Sequence, residues 1–281
     1  MTTPPAATNR EDLEQRLELA LAMAREASAF ILSHYQSSSL AVENKRDSSP
    51  VTIADRGAEE LIRTRIIAQF PHDAILGEEF GEQPGESGYK WILDPVDGTK
   101  SFIHGVPLFG TLIGVEFNRE CVAGVCHFPA MNETVWGGRG LGAWWQTNDG
   151  SIRPARVSAV TELSKATVCF TTVQGYARVG RFDVFESLVE KAQLLRGWGD
   201  CYGHMLVATG RADVMVDPLM NPWDAAALVP IVTEAGGHFV DWMGESSIYS
   251  GSGISVNDKL RDAGLKITRG AAGPRAGAAT R

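Results

Sequence analysis

Apolar side chains between positions 12 and 35 recur every three or four residues. Leu13, Leu17, Ala20, Ala24, Ala27 and Ile31 share one face, which predicts an amphipathic helix. Asn9 and Asp12 stand where a capping pair would close its first turn. The period returns over 54–70, with Ala58, Leu61, Ile62 and Ile66 on one side and Pro71 as the stop signal. Ala74-Ile75-Leu76 and Lys90-Trp91-Ile92-Leu93 are short apolar runs of strand type, each followed by acidic residues. Pro95 has a fixed φ and no N–H, so the second run is expected to end at Asp94. Residues 111–117 and 121–128 predict a strand pair turning at Asn118 and Arg119, and 135–145 another strand with glycine-rich turns.

Past about Ser158 the pattern alternates. Strands are expected at 166–171, 213–216, 237–242 and 254–256, and helices at 182–192, 202–209 and 222–235. This predicts a layered α+β fold in two parts, an N-terminal α+β half at 9–157 and a C-terminal α/β half at 158–269. Residues 1–8 and 270–281 lack large apolar side chains and are expected to be disordered.

The chain carries a net charge of −8 and a pI near 5.3, which disfavours nucleic acid and anionic membrane surfaces as partners. An acidic protein that acts on a phosphate needs cations to bring the two negatives together. No apolar run reaches the roughly 18 residues of a membrane span. Cys121, Cys126, Cys169 and Cys201 have no CxxC spacing and are expected to be reduced thiols of a cytoplasmic protein. The six histidines show no HxH or HxxxH spacing, which argues against zinc.

Candidate chemistry concentrates in WILDPVDGTKSF, residues 91–102. Asp94 and Asp97 fall on one turn at a strand end, Gly98 permits close backbone approach, and Thr99 to Ser101 can open a short helix with free N–H groups. Two adjacent carboxylates repel unless a cation lies between them, and a hard cation takes oxygen ligands. DPxDG is also good chemistry for a plain acidic turn. Glu78 and Glu79 again follow an apolar strand-like run, where a solvated loop is the plainer reading. Asn221, Pro222 and Asp224 fit N-cap, N1 and N3 of a helix, a placement that also aims a carboxylate rigidly. Asp55 reads equally as a surface acid on its helix, and Lys45 and Asp47 as loop charges.

Taken in order, KRDSSPVTIAD (45–55), Glu78-Glu79, Trp91 through Thr99 and Trp223-Asp224-Ala225-Ala226-Ala227 resemble the motif set of the inositol monophosphatase superfamily. The resemblance covers about residues 12–267. It implies an αβαβα sandwich, a homodimer and Mg²⁺-dependent phosphate monoester hydrolysis with two or three Mg²⁺ per active site. Carried over by position, Glu78, Asp94, the Val96 carbonyl, Asp97 and Asp224 would hold the metals. Thr99, with Asp47 or Glu78, would orient and activate the attacking water. Gly98, Thr99, Lys100 and Ser101 would receive the phosphate.

Three stretches, 97–105, 196–203 and 217–224, look most like the histidinol-phosphate phosphatase branch, and Lys100-Ser101 departs from the inositol-specific pattern. That substrate carries an ammonium and an imidazole, which call for acceptors. Asp200, Asp217 and Asn221 are the candidates, although each also fits a structural reading as a turn acid, a strand-end acid and a helix cap. An inositol phosphate or a broader range of sugar phosphates is the alternative substrate class.

Overall fold

The computed structural model describes residues 9–37, 41–44 and 50–270. The first part of the chain runs α1 (Arg10–His34), β1 (Val42–Asn44), β2 (Pro50–Thr52), α2 (Ile53–Gln69), β3 (Ala74–Gly77), β4 (Gly81–Gln83), β5 (Tyr89–Asp97), α3 (Thr99–Ile103), β6 (Gly110–Phe117), β7 (Glu120–Phe128), β8 (Glu133–Gly138), β9 (Gly142–Gln146) and β10 (Ile152–Pro154). The remainder runs β11 (Thr167–Phe170), α4 (Val173–Arg178), α5 (Phe182–Lys191), β12 (Leu194–Arg196), α6 (Asp200–Ala208), β13 (Val214–Asp217), α7 (Pro222–Ala225), α8 (Leu228–Glu234), β14 (Gly237–Val240), β15 (Gly253–Asn257) and α9 (Arg261–Arg269).

Eight strands form one sheet in the order β10-β9-β8-β7-β6-β5-β3-β4, and five form a second in the order β12-β11-β13-β15-β14. Only β3 and β5 pair in parallel in the larger sheet, because β4 turns back antiparallel along the outer side of β3 and the chain reverses again before β5; the other neighbours pair antiparallel. The helices α1 and α2 bury Leu13, Ala20, Met23, Ala27, Ile31, Ala58, Ile62 and Ile66 against one face of the larger sheet. A middle layer of α6, α7 and α8 packs on its other face and reaches β14 of the smaller sheet. The outer layer of α4, α5 and α9 closes the smaller sheet through Tyr176, Val184, Leu188 and Leu265. The result is the expected αβαβα stack, with every layer apolar on the side it buries.

Asn9 caps α1 by accepting from the Glu11 N–H, and Thr52 caps α2 by accepting from the Ala54 N–H. Asn118 and Arg119 both adopt positive φ (49° and 69°) in the tight turn between β6 and β7, where the hairpin was expected. All four cysteines are free, three of them buried. No helix among the described residues is long and apolar enough to cross a membrane.

Two expectations require correction. Strand β5 does not stop at Asp94: Asp94 pairs with Leu112 and Asp97 with Gly110, and a bulge at Pro95 and Val96 absorbs the missing proline donor. The helix expected over 222–235 is split into α7 and α8. Pro230 has no N–H to return to the Ala226 carbonyl, so the hydrogen-bond ladder breaks there while Ala226 and Ala227 keep right-handed helical angles. The short elements β1, β2, β4, β10, α4 and β12 and the polar helix α9 were not expected, and β9 lies where glycine-rich turns were expected.

The break at Ala226 and Ala227 lies against Gly114 of β6 and Gly124 of β7. A Cβ at Gly124 would stand 2.1 Å from the Ala227 oxygen, and one at Gly114 would stand 2.7 Å from the Ala226 Cβ. This contact between glycine strands and an alanine helix lets α7 approach the sheet and sets where Asp224 sits. Gly124→Ala should therefore destabilise the fold by about 1–3 kcal/mol, as overpacking does, and should weaken activity through displacement of Asp224. Urea unfolding and a turnover assay on the same preparation test both effects.

Candidate active site

Strand β5 delivers two carboxylates across its bulge. Asp94 is 2% exposed and accepts from the Val96 N–H at 3.1 Å. The Pro95 carbonyl is held by the Thr111 hydroxyl at 2.9 Å. Asp97 accepts from the Cys201 N–H at 2.6 Å, so the first turn of α6 docks directly on it. Asp224 comes from the start of α7, where its Oδ2 accepts from the Asn221 N–H at 2.7 Å. One oxygen each from Asp94, Asp97 and Asp224 lies within 4.8 Å of the other two.

Burial, and then neighbouring carboxylates, raise all three pKa values. Asp94 is pushed well above the carboxylate range by burial and then by Glu78, Asp97 and Asp224. Asp97 is raised by burial, Asp200 and Asp224, and Asp224 reaches about 7, chiefly through burial. Among the described residues none of the three forms an ion pair. A group of buried and half-buried oxygen-only donors with no cationic partner among the described residues fits a hard divalent cation.

Glu78 follows β3, and its N–H donates to the Leu93 carbonyl at 3.1 Å, one residue before Asp94. Its charge raises Asp55, Asp94 and Asp224, which places its carboxylate toward the same centre. Gly98 has φ 83° and precedes α3 as its N-cap, and a Cβ there would meet the Leu108 carbonyl at 2.9 Å and the Asp200 carboxylate at 3.4 Å. The Thr99 hydroxyl lies between the Val96 carbonyl at 3.1 Å and Asp55 Oδ1 at 3.3 Å. Lys100 and Ser101 continue α3, and the Lys100 charge lowers the pKa of Asp200 against a larger upward effect of burial that leaves it at about 6.

Asp200, at φ 51°, opens α6. Its N–H donates to the Thr171 hydroxyl at 3.0 Å, which donates in turn to Asp217 Oδ2 at 2.6 Å. Burial raises Asp217 to about 7. Asn221 is exposed and caps α7. The described candidates thus converge at the ends of β3, β5 and β13 and the starts of α3, α6 and α7. Lys45 and Asp47 lie outside the described residues.

Asp55 is not a surface acid: it is 1% exposed, with Oδ2 accepting from the Thr52 N–H and hydroxyl and Oδ1 facing Thr99. Its neighbour one turn on, Glu59, is fully buried. The signal for both was their spacing, since Asp55, Glu59, Ile62 and Ile66 continue one buried stripe of α2.

A model of the inositol monophosphatase family matches residues 12–270. The chain belongs to the inositol monophosphatase family. It is 49% identical over 245 residues to a histidinol-phosphatase of Chlorobaculum parvum, covering 87% of this chain and 93% of the relative. A histidinol-phosphatase of Mycobacterium tuberculosis is 36% identical over 88% of this chain and 95% of its own length. Among solved structures, the extragenic suppressor protein SuhB of Bartonella henselae superposes with a TM-score of 0.83 at 28% identity, covering 91% of this chain and 98% of that one.

The acidic centre of this inositol monophosphatase family member makes the metal-free protein sensitive to pH. The Asp224 pKa rises from 3.8 to about 7 on folding. Between those values the folded state holds a proton that the unfolded chain releases, so this contribution to stability is present in acid and is lost as pH rises through about 7. In EDTA, Asp224→Asn should gain thermal stability relative to wild type as pH rises from about 4 to about 7, and Mg²⁺ should reverse the order at pH 8. Melting curves of the two proteins across that range check the sign.

Proposed function

We propose that this chain hydrolyses phosphate monoesters with bound Mg²⁺, and that its physiological ester is L-histidinol phosphate, converted to L-histidinol in histidine biosynthesis. The observation that carries the metal chemistry is the convergence of Asp94, Asp97 and Asp224, none of which forms an ion pair among the described residues. Glu78, Asp94 and the Val96 carbonyl would hold one Mg²⁺, and Asp94, Asp97 and Asp224 a second. A third ion is compatible with the same acidic cluster. Bound there, Mg²⁺ would neutralise the ester phosphate and lower the pKa of a coordinated water.

The protein's own part is positioning. Thr99, fixed between Val96 and Asp55, would orient the attacking water, with Glu78 and Asp47 as the carboxylates that draw off its proton. The backbone N–H groups of Gly98 and Thr99, with Lys100 and Ser101, would take the phosphate oxygens. Water then attacks phosphorus in line, the P–O ester bond breaks, and the alcohol leaves as inorganic phosphate forms.

The preference for histidinol phosphate is supported by the acceptors beside the centre and by the histidinol-phosphatase relatives. Asp200 adjoins Gly98, and Asp217 is linked to Asp200 through Thr171. These carboxylates and Asn221 would receive the ammonium and imidazole of the substrate, whereas a ring of hydroxyls offers no cation to them. We place the enzyme in the cytoplasm as a homodimer.

Turnover of histidinol phosphate and of inositol 1-phosphate should be compared with and without Mg²⁺. A higher kcat/KM for the inositol ester overturns the substrate assignment. Asp94→Asn should lower kcat/KM by more than about 100-fold, beyond the loss of an outer partner, while the protein stays folded by circular dichroism. Asp217→Asn should raise KM for histidinol phosphate by about 10–100-fold, the worth of a charged hydrogen bond, with a far smaller change for an uncharged sugar phosphate.

A further inference from the structure

We propose that Glu59 is the positioning residue for Glu78, acting as a clamp that fixes the turn from which Glu78 reaches the metal centre. The inference rests on the reading of Glu78 as a metal ligand. Strands β3 and β4 pair with Gly77 opposite Gly81, so residues 78–80 form the loop of a tight hairpin. Each backbone N–H of that loop has a fixed acceptor. Glu78 donates to the Leu93 carbonyl at 3.1 Å, Glu79 to Glu59 Oε2 at 2.8 Å, and Phe80 to Glu59 Oε1 at 3.2 Å. Arg63, one turn further along α2, pairs with Glu59 Oε1 at 2.7 Å and donates to the Gly81 carbonyl just past the loop.

Glu59 reaches the loop because β3 ends in glycine. A Cβ at Gly77 would stand 1.9 Å from Glu59 Oε1, so the carboxylate occupies the space of the missing side chain. The carboxylate is fully buried on a helix face that, apart from Asp55, is made of Ala54, Ala58, Ile62 and Ile66. A buried ion pair at such a place adds little stability over apolar side chains of the same volume. What it provides is geometry: the turn is pinned from below by α2 and from the side by β5, and Glu78 is the residue held between. Arg63 neutralises the clamp, so Glu59 positions Glu78 without adding net repulsion to the centre. Outer partners of this kind tune metal affinity by about 10–100-fold.

The test is calorimetric titration of Mg²⁺ into full-length wild type, Glu59→Gln, Gly77→Ala, Glu78→Gln and the Glu59→Gln/Glu78→Gln double variant, with melting curves to show that each is folded. Glu59→Gln should weaken Mg²⁺ binding by about 10-fold or more. In the Glu78→Gln background it should cause no further loss. Gly77→Ala displaces the same carboxylate from the other side and should give the same weakening, which keeps the test open if Glu59→Gln fails to fold. Wild-type affinity in both Glu59→Gln and Gly77→Ala, with Glu78→Gln impaired, overturns the clamp and leaves the metal centre standing. Additive losses in the double variant also overturn it, because they mean that Glu59 acts on the fold at large. Unchanged affinity in Glu78→Gln removes the ligand itself and sinks the reading underneath.

Discussion

Repulsion among buried carboxylates is the constraint around which this molecule is arranged. Asp94, Asp97 and Asp224 each bring an oxygen within 4.8 Å of the others, and burial followed by neighbouring carboxylates raises the pKa of each. Left to themselves they would separate or bind protons. Neutral backbone donors hold them instead: Val96 for Asp94, Cys201 for Asp97 and Asn221 for Asp224. N–H dipoles fix the oxygens without cancelling their charge, and among the described residues no cationic side chain pairs with any of the three. The Mg²⁺ proposal is the chemical consequence of that arrangement.

The scaffold answers the same constraint at longer range. The larger sheet presents Glu78, Asp94 and Asp97 at the ends of neighbouring strands, and glycine at Gly114 and Gly124 admits the alanines that bring Asp224 down to them. One face of α2 then serves both sides of the centre. Asp55 holds the Thr99 hydroxyl, and one turn later Glu59 holds the hairpin loop beside Glu78. Regular elements carry the supporting residues, and that limits how far the ligands can wander.

Much of this was legible in the chain. Long periodic elements such as α1, α2, β6 and β7 declare themselves through many repeats of one spacing, and the caps at Asn9 and Asn221 follow from local chemistry. The acidic residues of the site stood out because they sit where apolar runs stop. The three-residue strands β1, β2, β4, β10 and β12 are too short to show any period. The bulge at Pro95 was missed because a proline that blocks a ladder bond looks the same whether the strand ends or bends around it. Asp55 was read as a surface acid and Glu59 was not singled out, for a different reason. A carboxylate on a helix is usually solvated, which outweighed their place on the buried stripe, and their partners at Thr99 and the 78–80 loop meet them only in the fold. Likewise the Cys201 N–H has no signature at all, since a backbone donor is common to almost every residue.

The bond from Cys201 to Asp97 joins α6, which follows the first two strands of the smaller sheet, to the last residue of β5 in the larger one. The Cys201 thiol also packs against Gly110 beside that strand. A fragment ending at the boundary between the sheets would therefore keep most of its acidic residues yet lack a donor for one of them and the whole of Asp224. Neither piece is a miniature of the enzyme. Reassociation of separately made fragments would instead be reported by return of the centre, which makes the seam between the sheets a natural place to divide the protein for a complementation reporter.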